Sequence, residues 1–322
     1  MALLEISNEL LKVDHLKKYF KTPKGYLQAV DDVSFSIGRG GTLGVVGESG
    51  CGKSTLGRCI LRLHEPTSGK VYFCGEDVTN YGPKELKNLR TKMQIIFQDP
   101  YSSLDPRNTI AQAIEEPLLL HGMFNKRDKE GITKRVLELM DMVGLARRFV
   151  NSYPHELDGG RRQRIGIARA LSLKPDFIVC DEPVSALDVS IQAQILNLMQ
   201  DLQEELGLTY MFITHDLSVV KHISSQIIVM YLGRVVERAA PEELFKNPLH
   251  PYTQALLASI PVPDPDVKLR KGVLKGEISS PINMSEECRF INRCPSVSDE
   301  CRNRSMPEKE VVKGHFAACC HC

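Results

Sequence analysis

The sequence predicts an α/β fold built on a mostly parallel sheet. Short apolar runs that read as strands alternate along the chain with segments of helical periodicity, as in strand–helix–strand units. One of these units carries a glycine-rich loop between its strand and its helix. Because ligands of such sheets bind at the carboxyl ends of the strands, we expect the functional residues at those ends.

The N-terminal part predicts two short strands, at residues 11–16 and 30–37, because both alternate apolar and polar residues. Tyr19 and Phe20 lie between these strands, before a polar turn. An aromatic side chain at this place could stack on a nucleotide base, although packing in the core or at a sheet edge is the more ordinary role.

The glycine-rich loop fits the phosphate-binding pattern GxxxxGK[ST]. It consists of Gly47, Glu48, Ser49, Gly50, Cys51, Gly52, Lys53, Ser54 and Thr55. An apolar strand precedes it and an amphipathic helix follows it, which is the context that the motif requires. The glycines let backbone N–H groups surround a β-phosphate, and the helix N-terminus adds further donors. Lys53 can reach the β- and γ-phosphates and Ser54 can bind Mg²⁺, so the loop predicts a nucleoside triphosphate site.

The middle of the chain continues the alternation, and two of its strands end in chemically active residues. Asp181 and Glu182 follow an apolar strand, and His215 follows the next one. Asp181 is placed to hold Mg²⁺, and Glu182 beside it to orient or deprotonate a water. The predicted strands are residues 71–73, 93–98, 177–180 and 210–214, and the predicted helices lie in 110–150, 155–171 and 191–206, with a short one from 250 to 260.

Composition limits the possible partners. The 41 Lys and Arg residues balance 40 Asp and Glu residues, so no bulk charge attracts nucleic acid or an acidic membrane surface. No apolar run approaches the ~18–20 residues of a spanning helix, and no signal peptide is evident. We therefore expect a soluble, cytoplasmic protein whose membrane role comes through a partner.

The cysteines are placed unevenly, with six of the ten in the last 35 residues. In a cytosolic chain such a cluster points to metal binding rather than to disulfides. The segment has few apolar residues, and four thiolates around a metal centre would staple it. Zinc and an iron–sulfur cluster both accept four thiolates, although structural zinc sites usually show tighter spacings. The expected ligands are Cys288, Cys294, Cys301 and Cys319, with Cys320 or Cys322 as substitutes for the last.

Together these residues resemble the nucleotide-binding subunits of ABC transporters over almost the whole chain. The motifs that carry the resemblance are the phosphate loop, Gln98, the signature segment Leu157, Asp158, Gly159, Gly160 and Arg161, the pair Asp181 and Glu182, the D-loop Ser185, Ala186, Leu187 and Asp188, and His215. Residues 101–107, residues 247–257 and the terminal cysteines look like the ATP-binding subunits of dipeptide and oligopeptide importers. Among these, the second ATPase subunit of a dipeptide permease is the most similar.

The resemblance implies a P-loop NTPase fold of ABC type. Such a fold has a RecA-like, mostly parallel sheet core, an antiparallel β subdomain and a helical subdomain, here at about residues 100–170. We place the nucleotide-binding domain at residues 1–250, because the sequence pattern changes near residue 250. Residues 251–322 would form a small cysteine-rich extension after a proline-rich linker at 261–265.

The resemblance also implies cofactors and residue roles. The cofactors are ATP, Mg²⁺ and a [4Fe–4S] cluster on the four cysteines, with Zn²⁺ as the alternative metal. Glu182 would be the catalytic base, and His215 would contact the γ-phosphate. The remaining roles are adenine stacking by Phe20 or Tyr19 and Mg²⁺ binding by Ser54, Gln98 and Asp181.

The implied assembly explains why each motif occurs once. Two ATPase subunits pair head to tail, and each ATP lies between one subunit's phosphate loop and the signature of the other. The partners would be a second homologous ATPase, two transmembrane permease subunits and, through them, an extracytoplasmic solute-binding protein, without nucleic acid. The chain would then sit peripherally on the cytoplasmic face of the cell membrane.

One departure from the family pattern Leu-Ser-Gly-Gly-Gln concerns the partner's ATP. Asp158 replaces the serine and Arg161 replaces the glutamine. An ionised Asp cannot donate to the γ-phosphate, and two like charges ~4 Å apart repel by ~4 kcal/mol at an effective dielectric near 20. Either Arg161 or Arg162 compensates, or this site hydrolyses poorly. We therefore expect a heterodimer with unequal sites.

Three other functions compete with peptide import. An importer ATPase for nickel or an oligosaccharide would carry the same motifs, because the solute contacts lie in other chains. A soluble ABC-type ATPase acting on nucleic acid is suggested by Arg161, Arg162, Arg164 and Arg169, but the near-zero net charge disfavours it. A structural half that binds ATP without hydrolysing it is disfavoured by Glu182 and His215.

Overall fold

The structure, a computed structural model, describes residues 9–99, 101, 103–260, 280–302 and 306–322. Two compact units divide this chain: the described residues of Met1–Asn80 together with Phe212–Cys322, and Tyr81–Met211. The predicted linker at residues 261–265 lies outside the described residues. So do Ser102, within the stretch 101–107, and Pro100, which precedes that stretch.

The elements follow in chain order. The strands are β1 (Glu9–Thr22), β2 (Gly25–Gly38), β3 (Thr42–Val46), β4 (Ser68–Phe73), β5 (Glu76–Asp77), β6 (Met93–Ile96), β7 (Phe177–Asp181), β8 (Thr209–Thr214), β9 (Gln226–Tyr231), β10 (Arg234–Ala239), β11 (Lys309–Val312) and β12 (His315–Ala317). The α-helices are α1 (Lys53–Ile60), α2 (Pro83–Lys92), α3 (Ile110–Leu120), α4 (Lys129–Met142), α5 (Gly159–Leu171), α6 (Val189–Leu206), α7 (Leu217–Ile223), α8 (Pro241–Lys246) and α9 (Pro251–Ala258).

The first unit contains an antiparallel sheet in the order β2-β1-β4-β5. β1 and β2 form a long hairpin in which Thr22 pairs with Gly25. The expectation of two short strands with Tyr19 and Phe20 between them was wrong, since both aromatics lie inside β1. The alternation along β1 was misleading because the register shifts between Val13 and Leu16 interrupt it.

The same unit contains strands of a larger sheet. β3 pairs in parallel with β9, β9 pairs antiparallel with β10, and β12 and then β11 continue the edge beyond β10. The C-terminal strands therefore extend this sheet. A segment with few apolar residues gains backbone hydrogen bonds and a core in this way, and its Phe290 is only 1% exposed.

The second unit pairs β6 with β7 in parallel. α3, α4 and α5 pack against one another, and α5 also contacts α6 and β6. α5 begins at Gly159 rather than at residue 155, because Pro154–Glu156 forms a 3₁₀ turn. α6 ends where we predicted, with Gly207 in the left-handed conformation at φ 67°.

The strands that precede the predicted functional residues are fully buried. Every residue of β3, β7 and β8 is buried, as is typical of strands covered on both faces in an α/β fold. The predicted α/β fold with an antiparallel subdomain is confirmed. Among the helices that the structure describes, none combines the length and hydropathy needed to cross a membrane.

Candidate nucleotide site

The phosphate loop joins β3 to α1 in the first unit, and two of its glycines are sterically required. Gly47 has φ 150° and Gly52 has φ 104°. A Cβ atom at Gly47 would lie 2.2 Å from the Met230 carbonyl oxygen, and one at Gly52 would lie 2.0 Å from the Ala29 carbonyl oxygen. Backbone packed this closely admits only glycine, so the loop is held against β9 and β2.

Lys53 closes the loop on itself. Its side chain is buried, and Nζ donates to the carbonyl oxygens of Gly47 at 2.7 Å and Glu48 at 2.9 Å. Within the described residues no side chain caps α1 at Gly52. The first N–H groups of a helix have no intrahelical partner, so this end of α1 offers donors to an anion.

The predicted base-stacking aromatics have different surroundings. The Tyr19 hydroxyl donates to the buried carboxylate of Asp31. Phe20 is partly exposed, with its ring edge-on to His64 at 5.7 Å and the Lys18 ammonium 4.9 Å from its centroid. Because the Tyr19 hydroxyl is committed to the protein, Phe20 is the better placed of the two for a base.

His215 follows the buried strand β8 directly and is exposed. The next residue, Asp216, caps α7 by accepting the Ser218 N–H at 2.8 Å. This cap fixes the turn that carries the histidine. The structure thus places His215 at the carboxyl end of a strand, as the sequence predicted.

The second unit brings Gln98 and Glu182 together. The Gln98 side-chain amide donates to the Glu182 carboxylate at 2.9 Å, although 84 residues separate them. Asp181 ends β7 and is 2% exposed, while Glu182 has a positive φ of 48°. A left-handed non-glycine residue is strained, and such strain is concentrated at functional sites. The buried carboxylate of Asp181 is an oxygen ligand of the kind that Mg²⁺ accepts.

Asp158 of the signature segment acts as a helix cap in this structure. Its carboxylate accepts the Arg161 N–H at 2.8 Å, which caps α5. The same carboxylate pairs with the Arg161 guanidinium at 2.7 Å. Arg162 instead donates to the Pro154 carbonyl oxygen at 2.8 Å. Of the two arginines that the sequence left open, Arg161 is the one that compensates Asp158.

The signature glycines pack against the D-loop and the start of α6. A Cβ atom at Gly160 would lie 2.6 Å from Ile191, and one at Gly159 would lie 3.1 Å from Leu187. Asp188 caps α6 by accepting the Ile191 N–H at 3.0 Å. These N-terminal hydrogen bonds lower the pKa of Asp188. Two of the predicted motifs therefore form one contiguous surface within the second unit.

The remaining arginines of α5 are bound to protein. Arg164 donates to the Val143 carbonyl oxygen at 2.5 Å, and Arg169 donates to the Ser103 carbonyl oxygen at 2.5 Å. Arg161 and Arg162 also bond within the chain, as described above. All four arginines that suggested nucleic-acid binding therefore have hydrogen-bond partners in this protein.

The C-terminal cysteines gather in the first unit. The Sγ atoms of Cys301 and Cys320 are 3.3 Å apart, and with His321 they form a set whose ligand atoms lie within 4.8 Å of one another. Of this set only Cys301 belongs to the predicted four. Burial, together with the nearby thiols of Cys301, Cys294 and Cys319, raises the pKa of Cys288 to about 11.

Cys319 behaves differently from Cys288. A hydrogen bond from Cys322 is the main cause that lowers the pKa of Cys319 to about 6. A thiolate is the form that binds metals. The Cys319 thiol is therefore suited to metal binding, and the thiols of Cys294, Cys301 and Cys319 lie close enough to Cys288 to influence its pKa.

Sequence comparison identifies two regions. Residues 30–185 match the family described as ABC transporter, and residues 236–301 match the one described as oligopeptide/dipeptide transporter, C-terminal region. The oligopeptide transport ATP-binding protein AppF of Bacillus subtilis is 51% identical, over 96% of both chains. OppF of the same organism is 52% identical, over 98% of this chain and 97% of its own.

The chain belongs to the ABC transporter ATP-binding family. Within this family it is an importer ATPase that hydrolyses ATP to drive transport. ABC ATPases work as dimers with membrane permeases, and ATP and Mg²⁺ are their expected cofactors.

Solved ABC cassettes share the fold. A post-hydrolysis dimer of the ATP-binding cassette MJ0796, bound to ADP and Pi, is 33% identical with a TM-score of 0.66, over 72% of this chain and 99% of the other. The cassette cbiO1 of Clostridium perfringens, part of the complex cbiONQ, is 29% identical with a TM-score of 0.66, over 75% of this chain and 92% of the other.

Two residues that contact the phosphate loop were missed as site residues by the sequence analysis. Tyr252 accepts the Glu48 N–H at 2.9 Å, and Arg293 pairs with the Glu48 carboxylate at 2.7 Å. The Pro-Tyr pair of the stretch 247–257 was a signal for the first. No local signal indicates the second, which lies 245 residues from its partner.

Proposed function

We propose that this ABC ATPase energises the import of di- or oligopeptides across the cell membrane. The observation that carries the proposal is the match of residues 236–301 to the C-terminal region of oligopeptide/dipeptide transporters. Relatives of about half identity over nearly the full length, named for oligopeptide transport, support it. The chain would work on the cytoplasmic face with a second homologous ATPase, two permease subunits and, through them, a solute-binding protein.

In the first unit, the phosphate loop would bind the triphosphate of ATP. Lys53 would exchange its bonds to the loop carbonyl oxygens for bonds to the β- and γ-phosphates, and Ser54 would bind Mg²⁺. Phe20 would stack on adenine, supported by the engagement of Tyr19 with Asp31. His215 would contact the γ-phosphate. Mg²⁺ would neutralise phosphate charge when bound.

In the second unit, Glu182 would accept a proton from the attacking water as the γ-phosphoryl group leaves ADP. Its carboxylate is oriented by the Gln98 amide at 2.9 Å, which supports this role. Asp181 and Gln98 would contribute to Mg²⁺ binding. The strained φ of Glu182 fixes the direction of its side chain relative to β7.

The signature segment would serve the ATP of the partner subunit. Asp158 cannot donate a hydrogen bond as the family's serine does, but its pairing with Arg161 reduces its repulsion of a phosphate. The two sites of the dimer would be unequal, which favours a partner that differs from this chain.

The cysteine cluster would hold a [4Fe–4S] group on Cys288, Cys294, Cys301 and Cys319. The proximity of these thiols and the low pKa of Cys319 support a metal group. An iron–sulfur cluster supplies a structural crosslink that can change its redox state. A zinc ion on Cys301, Cys320 and His321 is a second candidate, favoured by their mutual distances within 4.8 Å.

Transport by the assembled complex tests the proposed function. Membrane vesicles with the permease, both ATPases and the binding protein should accumulate a labelled dipeptide only with ATP, and Glu182→Gln should abolish accumulation. Accumulation of nickel or an oligosaccharide without peptide would replace the proposed solute while keeping the importer. Association of the purified chain with nucleic acid in place of permease would contradict import altogether.

A further inference from the structure

The segment between two of the predicted cluster cysteines, residues 288–294, contacts the phosphate loop. The Arg293 guanidinium donates to both carboxylate oxygens of Glu48, at 2.7 and 3.1 Å. The Arg293 side chain is 7% exposed and that of Glu48 is 23% exposed. A bidentate, largely buried pair of this kind constrains geometry as well as adding energy.

Glu48 is also held through its backbone. Its N–H donates to the hydroxyl of Tyr252 at 2.9 Å, and its carbonyl oxygen accepts from Lys53 at 2.9 Å. Tyr252 lies in α9 and is fully buried. Glu48 is therefore held by contacts from Tyr252, Arg293 and Lys53.

Aromatic packing fixes the position of Arg293. Phe290, three residues earlier, lies 5.2 Å from the Tyr231 ring and 5.5 Å from the Tyr252 ring. Tyr231 and Tyr252 are themselves 4.7 Å apart. Aromatic groups packed at such distances are rigid, so the backbone that carries Arg293 is anchored beneath the loop.

A second anchor reaches the other end of the loop. The Arg289 guanidinium donates to the Asp31 carboxylate at 2.5 Å and to the Leu232 carbonyl oxygen. The neighbouring Gly233 N–H donates to the Cys51 carbonyl oxygen at 2.8 Å. The turn after β9 thus connects the segment to the loop just before α1.

We propose that residues 288–294 brace the phosphate loop, and that Arg293 is a positioning residue for ATP binding that acts through Glu48. When Lys53 turns to the phosphates, Glu48 loses the lysine bond to its carbonyl oxygen. Tyr252 and Arg293 then remain as the contacts that hold Glu48 from outside the loop, in addition to the Cys51 N–H, which donates to the Glu48 carbonyl oxygen at 3.3 Å. The inference takes from the proposed function only that the loop binds ATP, and it holds whichever metal the cysteines carry.

The test measures nucleotide affinity of the full chain with a fluorescent ATP analogue. Arg293→Gln and Glu48→Gln should each weaken binding on the order of tenfold, as expected when a charge-assisted hydrogen-bonded pair is replaced by a neutral contact. The double variant should be no weaker than either single variant, because the two residues act as a pair. In the assembled transporter the KM for ATP should rise while kcat changes little.

Arg238→Gln is the matched control. It breaks a comparable pair, Arg238 with Glu308 at 3.0 Å, which also joins the C-terminal segment to the sheet but does not touch the loop. This variant should bind the analogue as tightly as the unaltered chain does. The midpoint temperature of thermal unfolding without nucleotide should fall by a similar amount in Arg293→Gln and Arg238→Gln.

The outcomes separate this inference from the proposed function. Unchanged affinity in both Arg293→Gln and Glu48→Gln overturns the brace and leaves ATP binding intact. Equal loss of affinity in Arg238→Gln also overturns it, since the effect would then follow general destabilisation. Failure of the unaltered chain to bind the analogue would contradict the brace and the proposed function together.

Discussion

The signature pair Asp158 and Arg161 gives a prediction with a defined size. Replacing Asp158 by Ser keeps a good helix cap, since the two residues rank together at that position. It also removes an ion pair whose side chains are 58% and 45% exposed, an interaction of about 0.2–1 kcal/mol. We therefore expect Asp158→Ser to change the unfolding free energy by less than about 1 kcal/mol.

The effect on catalysis depends on whether Arg161 is present. A bare carboxylate ~4 Å from a phosphate costs ~4 kcal/mol at an effective dielectric near 20, which corresponds to a factor of roughly a thousand. The Arg161 guanidinium, 2.7 Å from the Asp158 carboxylate, offsets most of this repulsion. Asp158→Ser should therefore leave the ATPase rate unchanged or raise it, whereas Arg161→Gln should lower it by at least about tenfold.

The assay isolates the site that this signature completes. Steady-state hydrolysis is measured in the assembled transporter with Lys53→Ala in this chain, so that only the partner's phosphate loop binds ATP productively. Asp158→Ser should restore the rate in the Arg161→Gln background, because the uncompensated charge is then gone. A large fall in rate with Asp158→Ser alone, or no effect of Arg161→Gln, would refute this reasoning and show another role for the aspartate.

Three further predictions follow from the structure. Glu182→Gln should keep ATP binding and trap a closed dimer, with kcat lowered ~10²–10⁴-fold, as measured by nucleotide binding and turnover. Unchanged turnover would exclude Glu182 as the catalytic base, whereas Lys53→Ala should weaken nucleotide binding itself. Anaerobically purified chain should be brown, bleach on reduction and contain iron and acid-labile sulfide in near-equal amounts, and stoichiometric zinc without sulfide would contradict the iron–sulfur assignment alone. Burial lowers the pKa of His250 from 6.5 to about 4. Below pH 6.5 the unfolded chain therefore binds a proton that the folded chain does not, so the free energy of unfolding falls by about 3 kcal/mol as the pH falls towards 4. Chemical denaturation across this range should show a weaker pH dependence of that free energy in His250→Asn, and identical pH slopes in both proteins would refute the prediction.

Local patterns allowed several features to be predicted from the sequence. The phosphate loop, the buried strand before Asp181 and the end of α6 at Gly207 depend on residues close together in the chain. Spacing and backbone preference decide such features, because glycine, the lysine of the loop and the strand-end carboxylate act within one supersecondary unit. The alternation of strands and helices was sufficient for the α/β class.

The long-range contacts could be decided only by the tertiary structure. Gln98 bonds to Glu182 across 84 positions of the chain, and Arg293 pairs with Glu48 across 245 positions. No local sequence pattern near one partner of either pair predicts the contact with the other. The choice of Arg161 over Arg162 as the counter-charge depends on where α5 begins and on the carbonyl oxygens around it. Nothing local indicates that β12 of the C-terminal segment pairs with β10, where a chain too poor in apolar residues for its own core is stabilised by hydrogen bonds and packing at an existing sheet.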